Sequence, residues 1–200
     1  MLHEIVPDAA GICVSRLDRV SKWLEKQVAS SKLAGCSVLI GRKGGVAYYC
    51  HQGMADVEHK KSFARDTIVR IYSMTKPVAS VALMMLWDRG YFDLNDPIAR
   101  FLPKFNEMTL YRPDGDHVSA AGQIKMQHVL NHTAGFILPA FSEHPLREFY
   151  VSDGVNGSRS EGTLTDVIDR LANKLLLFEP GTRWEYSMAT DVVGHLIEVI

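Results

Sequence analysis

Ile71-Tyr72-Ser73-Met74-Thr75-Lys76-Pro77, followed at once by Val78-Ala79-Ser80-Val81-Ala82-Leu83-Met84-Met85-Leu86-Trp87, is the stretch whose reading decides this fold. Val78, Val81, Ala82, Met85 and Leu86 recur at helical spacing and Gly90 stands just past them, so a helix is predicted over 73–89. Its almost wholly apolar composition makes it the expected central buried helix. Ser73 and Lys76 lie three apart at its start, which places a hydroxyl and an amine on one face. The free N–H groups of a helix N-terminus and their positive potential favour an alkoxide at that point. Pro77 fits only if the helix begins at or very near Ser73, because proline lacks the N–H that a helix interior uses.

A Ser-x-x-Lys spacing arises by chance in many chains, so its setting carries the weight. Here an extended run over 67–71 delivers the chain to Ser73 at the mouth of the most apolar helix, where an ordinary helix start is the competing reading. A second candidate is Trp184-Glu185-Tyr186-Ser187, after the Glu179-Pro180-Gly181 turn and before a helix expected over 188–200. A phenol with an ordinary pKa near 10 needs a neighbouring cation to serve as a base near neutrality, and Lys76 is the obvious one. The plainer alternative for Tyr186 is a core tyrosine beside Trp184 with its hydroxyl satisfied by backbone.

Before this stretch, Ser15 can cap a helix whose Leu17, Val20, Leu24 and Val28 face one side, with Gly35 beyond its end. Two strands are expected over 36–42 and 46–51, joined by Lys43-Gly44-Gly45 in a hairpin. Asp96-Pro97 and Pro103 bracket a short helix, 104–123 reads as a polar loop, and 124–131 as another short helix. An irregular stretch runs through 162, and Thr165 can cap a helix through Leu171. The last helix ends without a glycine or a basic final turn, which reads as an interruption of a domain.

The chain has 200 residues, 46% hydrophobic and 22% charged, within the range of ordinary globular proteins. A formal net charge of −1 leaves no field to recruit nucleic acid or an anionic membrane, and both are excluded as expected partners. No apolar run approaches a membrane span, and the first 14 residues carry Glu4 and Asp8, unlike a signal peptide. Three cysteines without Cys-x-x-Cys spacing suit reduced thiols, so a cytoplasmic location is expected. His128 and His132 are four apart but lack the intervening glutamate of a zinc motif, and His132-Thr133-Ala134-Gly135 reads better as a helix end with its loop. Neither a metal nor a cofactor is expected.

Four blocks in order carry a resemblance: 71–77 as quoted, then Leu94-Asn95-Asp96-Pro97 with Phe101-Leu102-Pro103, then Leu130-Asn131-His132-Thr133-Ala134-Gly135-Phe136. The fourth is Pro180-Gly181-Thr182-Arg183-Trp184-Glu185-Tyr186-Ser187, running on to Asp191-Val192-Val193-Gly194. With them the chain resembles the serine β-lactamase-related hydrolases, in particular family VIII carboxylesterases and class C β-lactamases. The resemblance implies an α+β fold of the β-lactamase/transpeptidase type. That fold has an antiparallel sheet flanked by helices and a helical region over about 94–180, with 1–93 as the N-terminal α/β part and 181–200 as the tyrosine loop and its helix. It implies one domain over 1–200 that stops short of the family's C-terminal strands, leaving only the first two strands.

By the same resemblance Ser73 is the nucleophile that holds the acyl group, and Lys76 and Tyr186 move the proton. The implied partner is a small-molecule ester or amide. Met188 stands at the third position of the family's Tyr-x-Asn element, and the Lys-Thr-Gly element or its esterase counterpart has no match here. The first departure favours an esterase over a β-lactamase or D-alanyl carboxypeptidase. The second keeps open an inactive, truncated fragment.

Overall fold

A computed structural model of the chain describes residues 3–200. Met1 and Leu2, at the head of the opening stretch, lie outside it. The described residues form two compact units, divided between Arg70 and Ile71. Among them no helix is long and apolar enough to cross a membrane.

In the first unit, α1 (Val14–Ala29) buries Leu17 and Leu24, two turns apart on one stripe, against β1 (Gly35–Arg42) and β2 (Gly45–Asp56). Ser21 Oγ and Tyr48 Oη, 2.6 Å apart, tie helix to sheet. β1 and β2 are antiparallel with Arg42 opposite Gly45. Lys43 (φ 50°) and Gly44 (φ 76°) between them both take the positive φ that a two-residue hairpin turn demands. β2 also pairs with β3 (Lys61–Ser62), giving the order β1-β2-β3. The expectation of two strands is thereby corrected. β3 is only two polar residues long and carries no apolar alternation by which a sequence announces a strand.

The second unit is mainly helical. A 3-10 turn over Tyr72–Met74 leads into α2 (Thr75–Asp88). Then come β4 (Thr109–Leu110) and β5 (Val118–Ser119), a short antiparallel ribbon inside the segment expected to be a loop. α3 (Met126–Leu130) is followed by α4 (Leu146–Val151), which interrupts the stretch expected to be irregular. α5 (Leu164–Leu171) is capped by Thr163 in a reciprocal box with Asp166, two residues ahead of the expected cap. α6 (Ala189–Val199) packs on α2, α3 and α5. Between Leu94 and Pro103 the chain makes a 3-10 turn over Ile98–Arg100 in place of an α-helix.

One continuous core holds this unit together, with Leu83, Ile98, Phe105, Met126, Phe136, Ile137, Leu146, Tyr150, Ile168, Leu171, Val192 and Leu196 all buried. Phe105 and Phe136 meet edge to face at 6.0 Å. The Tyr150 hydroxyl donates to the Leu175 carbonyl at 3.0 Å, and full burial pushes its phenol well above the ordinary tyrosine range. Among the described residues α2, the expected central buried helix, is only partly covered. Leu83 is buried, while Val78 is 63% and Val81 60% exposed. A helix apolar on every side has no stripe to say which face packs, and here the packed one is the face toward α6.

Candidate active site

Ser73 lies in the 3-10 turn that opens α2, immediately after Tyr72, whose φ of 46° is unusual for a side chain of that size. This sharp entry turns the chain from the preceding segment into the helix. Because α2 begins at Thr75, Pro77 occupies its third residue, where the N–H would have no partner within the helix. The proline therefore costs no hydrogen bond.

Tyr186 comes from far along the chain, and backbone pairing explains how it arrives. The Leu177 N–H donates to the Gly135 carbonyl (2.7 Å), that of Gly181 to Thr133 (2.8 Å), that of Glu185 to His132 (3.0 Å) and that of Met188 to Ile137 (3.3 Å). Two of the sequence blocks are thus stitched side by side. Gly135 makes the close approach possible: at φ 94° a Cβ there would stand 2.6 Å from the Phe178 carbonyl oxygen. Met188 is fully buried in the core.

These placements bring the sequence-derived residues together. Ser73 Oγ and Tyr186 Oη are 2.8 Å apart, hydrogen-bonded across 113 residues. The Lys76 ammonium stands over the Tyr186 ring, 4.9 Å from its centroid. The phenol is held below the ordinary tyrosine range, first by Lys76 as a nearby donor and next by its hydrogen bond with Ser73, against the opposing effect of desolvation.

Two further residues answer to the same cation. His132 is held below the usual histidine range, first by desolvation and second by the positive charge of Lys76. Asp191, in the first turn of α6, is pushed up by burial and pulled back by Lys76. The His132 ring lies 5.0 Å from that of Tyr186 and 6.3 Å from that of Trp184. His132 Nδ1 accepts the Ser187 N–H at 3.3 Å, and His128 Nδ1 accepts the Lys125 N–H at 3.1 Å. Each histidine thus spends a ring nitrogen on a backbone N–H, that of His128 local and that of His132 across 55 residues. Among the described residues no group of three or more metal-ligating side chains converges. Sequence reasoning missed His132 and Asp191, since nothing in their spacing relates them to Ser73.

A hydroxyl bonded to a phenol whose proton is loosened by an ammonium is an arrangement that can generate a nucleophile. Comparisons with known proteins give the family of the chain. The β-lactamase family model matches residues 20–200. Esterase EstB of Burkholderia gladioli is 32% identical over 193 residues, covering 96% of this chain and 46% of that protein. Among solved structures, EstCE1, a hydrolase with promiscuous acyltransferase activity, superposes with a TM-score of 0.74 at 34% identity, over 91% of this chain and 46% of that one. The simvastatin synthase LovD of Aspergillus terreus shares the fold, with a TM-score of 0.71 at 24% identity over 92% of this chain and 46% of its own. The chain therefore spans about half the length of these relatives. From residue 20 to its last residue it carries the family's pattern on the family's fold, and it belongs to the β-lactamase family.

Proposed function

We propose that the protein is a serine hydrolase that cleaves carboxylic esters of small acyl substrates through a covalent acyl-enzyme on Ser73. The observation that carries this reading is the 2.8 Å hydrogen bond between Ser73 Oγ and Tyr186 Oη beneath the Lys76 ammonium. Tyr186 as phenolate takes the Ser73 proton while Oγ bonds to the ester carbonyl carbon. The tetrahedral intermediate then collapses, the carbon–oxygen bond to the alcohol breaks, and the proton passes from Tyr186, aided by Lys76, to the departing alkoxide. Water repeats the sequence on the acyl-enzyme, which releases the acid and returns the proton to Ser73. The backbone N–H of Ser73, in the 3-10 turn that leads into α2, would serve on this chain as a donor to the developing oxyanion.

An esterase is favoured over a β-lactamase or D-alanyl carboxypeptidase because Met188 is buried in the core and brings no amide to the lysine. The names of relatives bear on both, since EstB is an esterase and a Salmonella typhimurium relative at 25% identity is a putative D-alanyl-D-alanine carboxypeptidase. A Penicillium decumbens relative is an acyltransferase, so an alcohol replacing water as acceptor is a natural variant of the same step. A cytoplasmic setting completes the proposal, supported by Cys13, Cys36 and Cys50 all being free thiols.

The test is a fluorophosphonate probe followed by peptide mapping, together with p-nitrophenyl butyrate hydrolysis. Label on Ser73, lost along with turnover in Ser73→Ala, supports the proposal. Turnover that survives Ser73→Ala rejects it, and a chain that remains unlabelled is the inactive fragment.

A further inference from the structure

We propose that His132 is a positioning residue: it clamps residues 184–187 so that the Tyr186 oxygen stays on Ser73. The inference rests on the hydrolase reading of this site.

His132 grips both neighbours of Tyr186 as well as its ring. Its carbonyl accepts the Glu185 N–H at 3.0 Å on one side. Its Nδ1 accepts the Ser187 N–H at 3.3 Å on the other, with Ser187 Oγ also 3.3 Å away. Between these two anchors the imidazole lies against the phenol ring at 5.0 Å, tilted by 40°. A residue fixed through both flanking peptides and its own ring has little freedom left to swing away from Ser73. The 2.8 Å contact is then present before substrate arrives, with no ordering cost in the reaction.

The backbone of His132 points the same way. Its φ of 59° lies in the left-handed region, which costs free energy for a residue with a side chain and persists where the surroundings over-determine it. In that conformation the carbonyl and Nδ1 of the same residue reach two sites of one neighbouring segment. Because Nδ1 accepts an N–H, the imidazole proton sits on Nε2 and the ring is neutral. Desolvation and the Lys76 charge keep it so, and the same Lys76 charge acts on Tyr186 and on Asp191 of α6.

Two substitutions separate a clamp from a filler. His132→Ala removes the acceptor and the ring. His132→Asn keeps an acceptor in nearly the same place and tolerates positive φ. For each, the ultraviolet absorbance of tyrosinate is followed against pH, and the curve of the same variant carrying Tyr186→Phe is subtracted, which isolates the titration of Tyr186. In His132→Ala this titration is expected to move up toward that of free tyrosine, because the phenol leaves Lys76. In His132→Asn it is expected to stay. Fluorophosphonate labelling of Ser73 should slow by at least about tenfold in the alanine variant and return to within about threefold of wild type in the asparagine variant, the scale of a misplacement near 1 Å.

A folded His132→Ala protein with unchanged titration and labelling overturns the proposal, as does an asparagine variant as impaired as the alanine one. Should the alanine variant not fold, the asparagine variant decides, since it must keep the wild-type titration. A wild-type protein unlabelled at Ser73 defeats the hydrolase reading instead, and the titration still judges the clamp.

Discussion

Replacing Tyr186 by phenylalanine removes one oxygen and leaves the ring, with its contacts to Lys76 at 4.9 Å and to His132 at 5.0 Å, in place. The change therefore tests the phenol hydroxyl and little else. Its hydrogen bond to Ser73 is solvent-accessible, so its loss should lower folding stability by no more than about 1 kcal/mol. Proton transfer by a positioned group contributes about 10²–10⁴-fold to a rate, so labelling of Ser73 should slow by that factor. At about 1.36 kcal/mol per tenfold, the barrier rises by roughly 2.7–5.4 kcal/mol. The rate is read as the second-order constant for fluorophosphonate labelling, and stability as a urea melt of the same samples. A phenylalanine variant that labels within about threefold of wild type would refute this reasoning, because Lys76 alone would then be taking the serine proton.

The phenol acts as base when deprotonated, and Lys76 and Ser73 hold it below the tyrosine range, so the wild-type rate should rise with pH along a limb centred below about 10. Lys76→Met removes the first of those influences, and the Tyr186 absorbance titration should shift upward. In the core, Phe136→Ala removes a fully buried ring packed on Phe105 and should cost about 3–5 kcal/mol in a urea melt. Gly135→Ala forces a Cβ within 2.6 Å of the Phe178 carbonyl at a positive φ and should destabilise by more than about 1 kcal/mol, with slower Ser73 labelling as the paired segments shift. The carboxyl of Asp153, held below the usual range by its bond to the buried Lys174, contributes stability above about pH 4 that is lost as pH falls through its folded value. Asp153→Asn should therefore flatten the acid limb of stability measured by thermal melts.

Much of the local structure follows from short-range rules. The Lys43-Gly44 turn, the stripe of α1, the start of α2 just before Pro77 and the span of α6 all rest on interactions within a few residues. Where such rules were silent, elements went unannounced. β3, β4 and β5 are two residues each and exist because a partner lies alongside. The cap of α5 fell on Thr163 where Thr165 had equal chemistry, and the reciprocal bond with Asp166 decided between them.

Read by itself, the sequence determined the residue types at Ser73, Lys76 and Tyr186, the helical register that sets serine and lysine on one face, and the family resemblance of the four blocks. Only the tertiary structure decided that the phenol reaches the serine, that His132 and Asp191 belong to the same electrostatic neighbourhood, and which face of α2 is packed. The reason is the range of the forces. Hydrophobic period, capping and turn preference act over a few residues and are written in order along the chain. A 2.8 Å contact between residues 73 and 186 depends on backbone pairing and core packing that bring distant segments together, and no local pattern records that meeting.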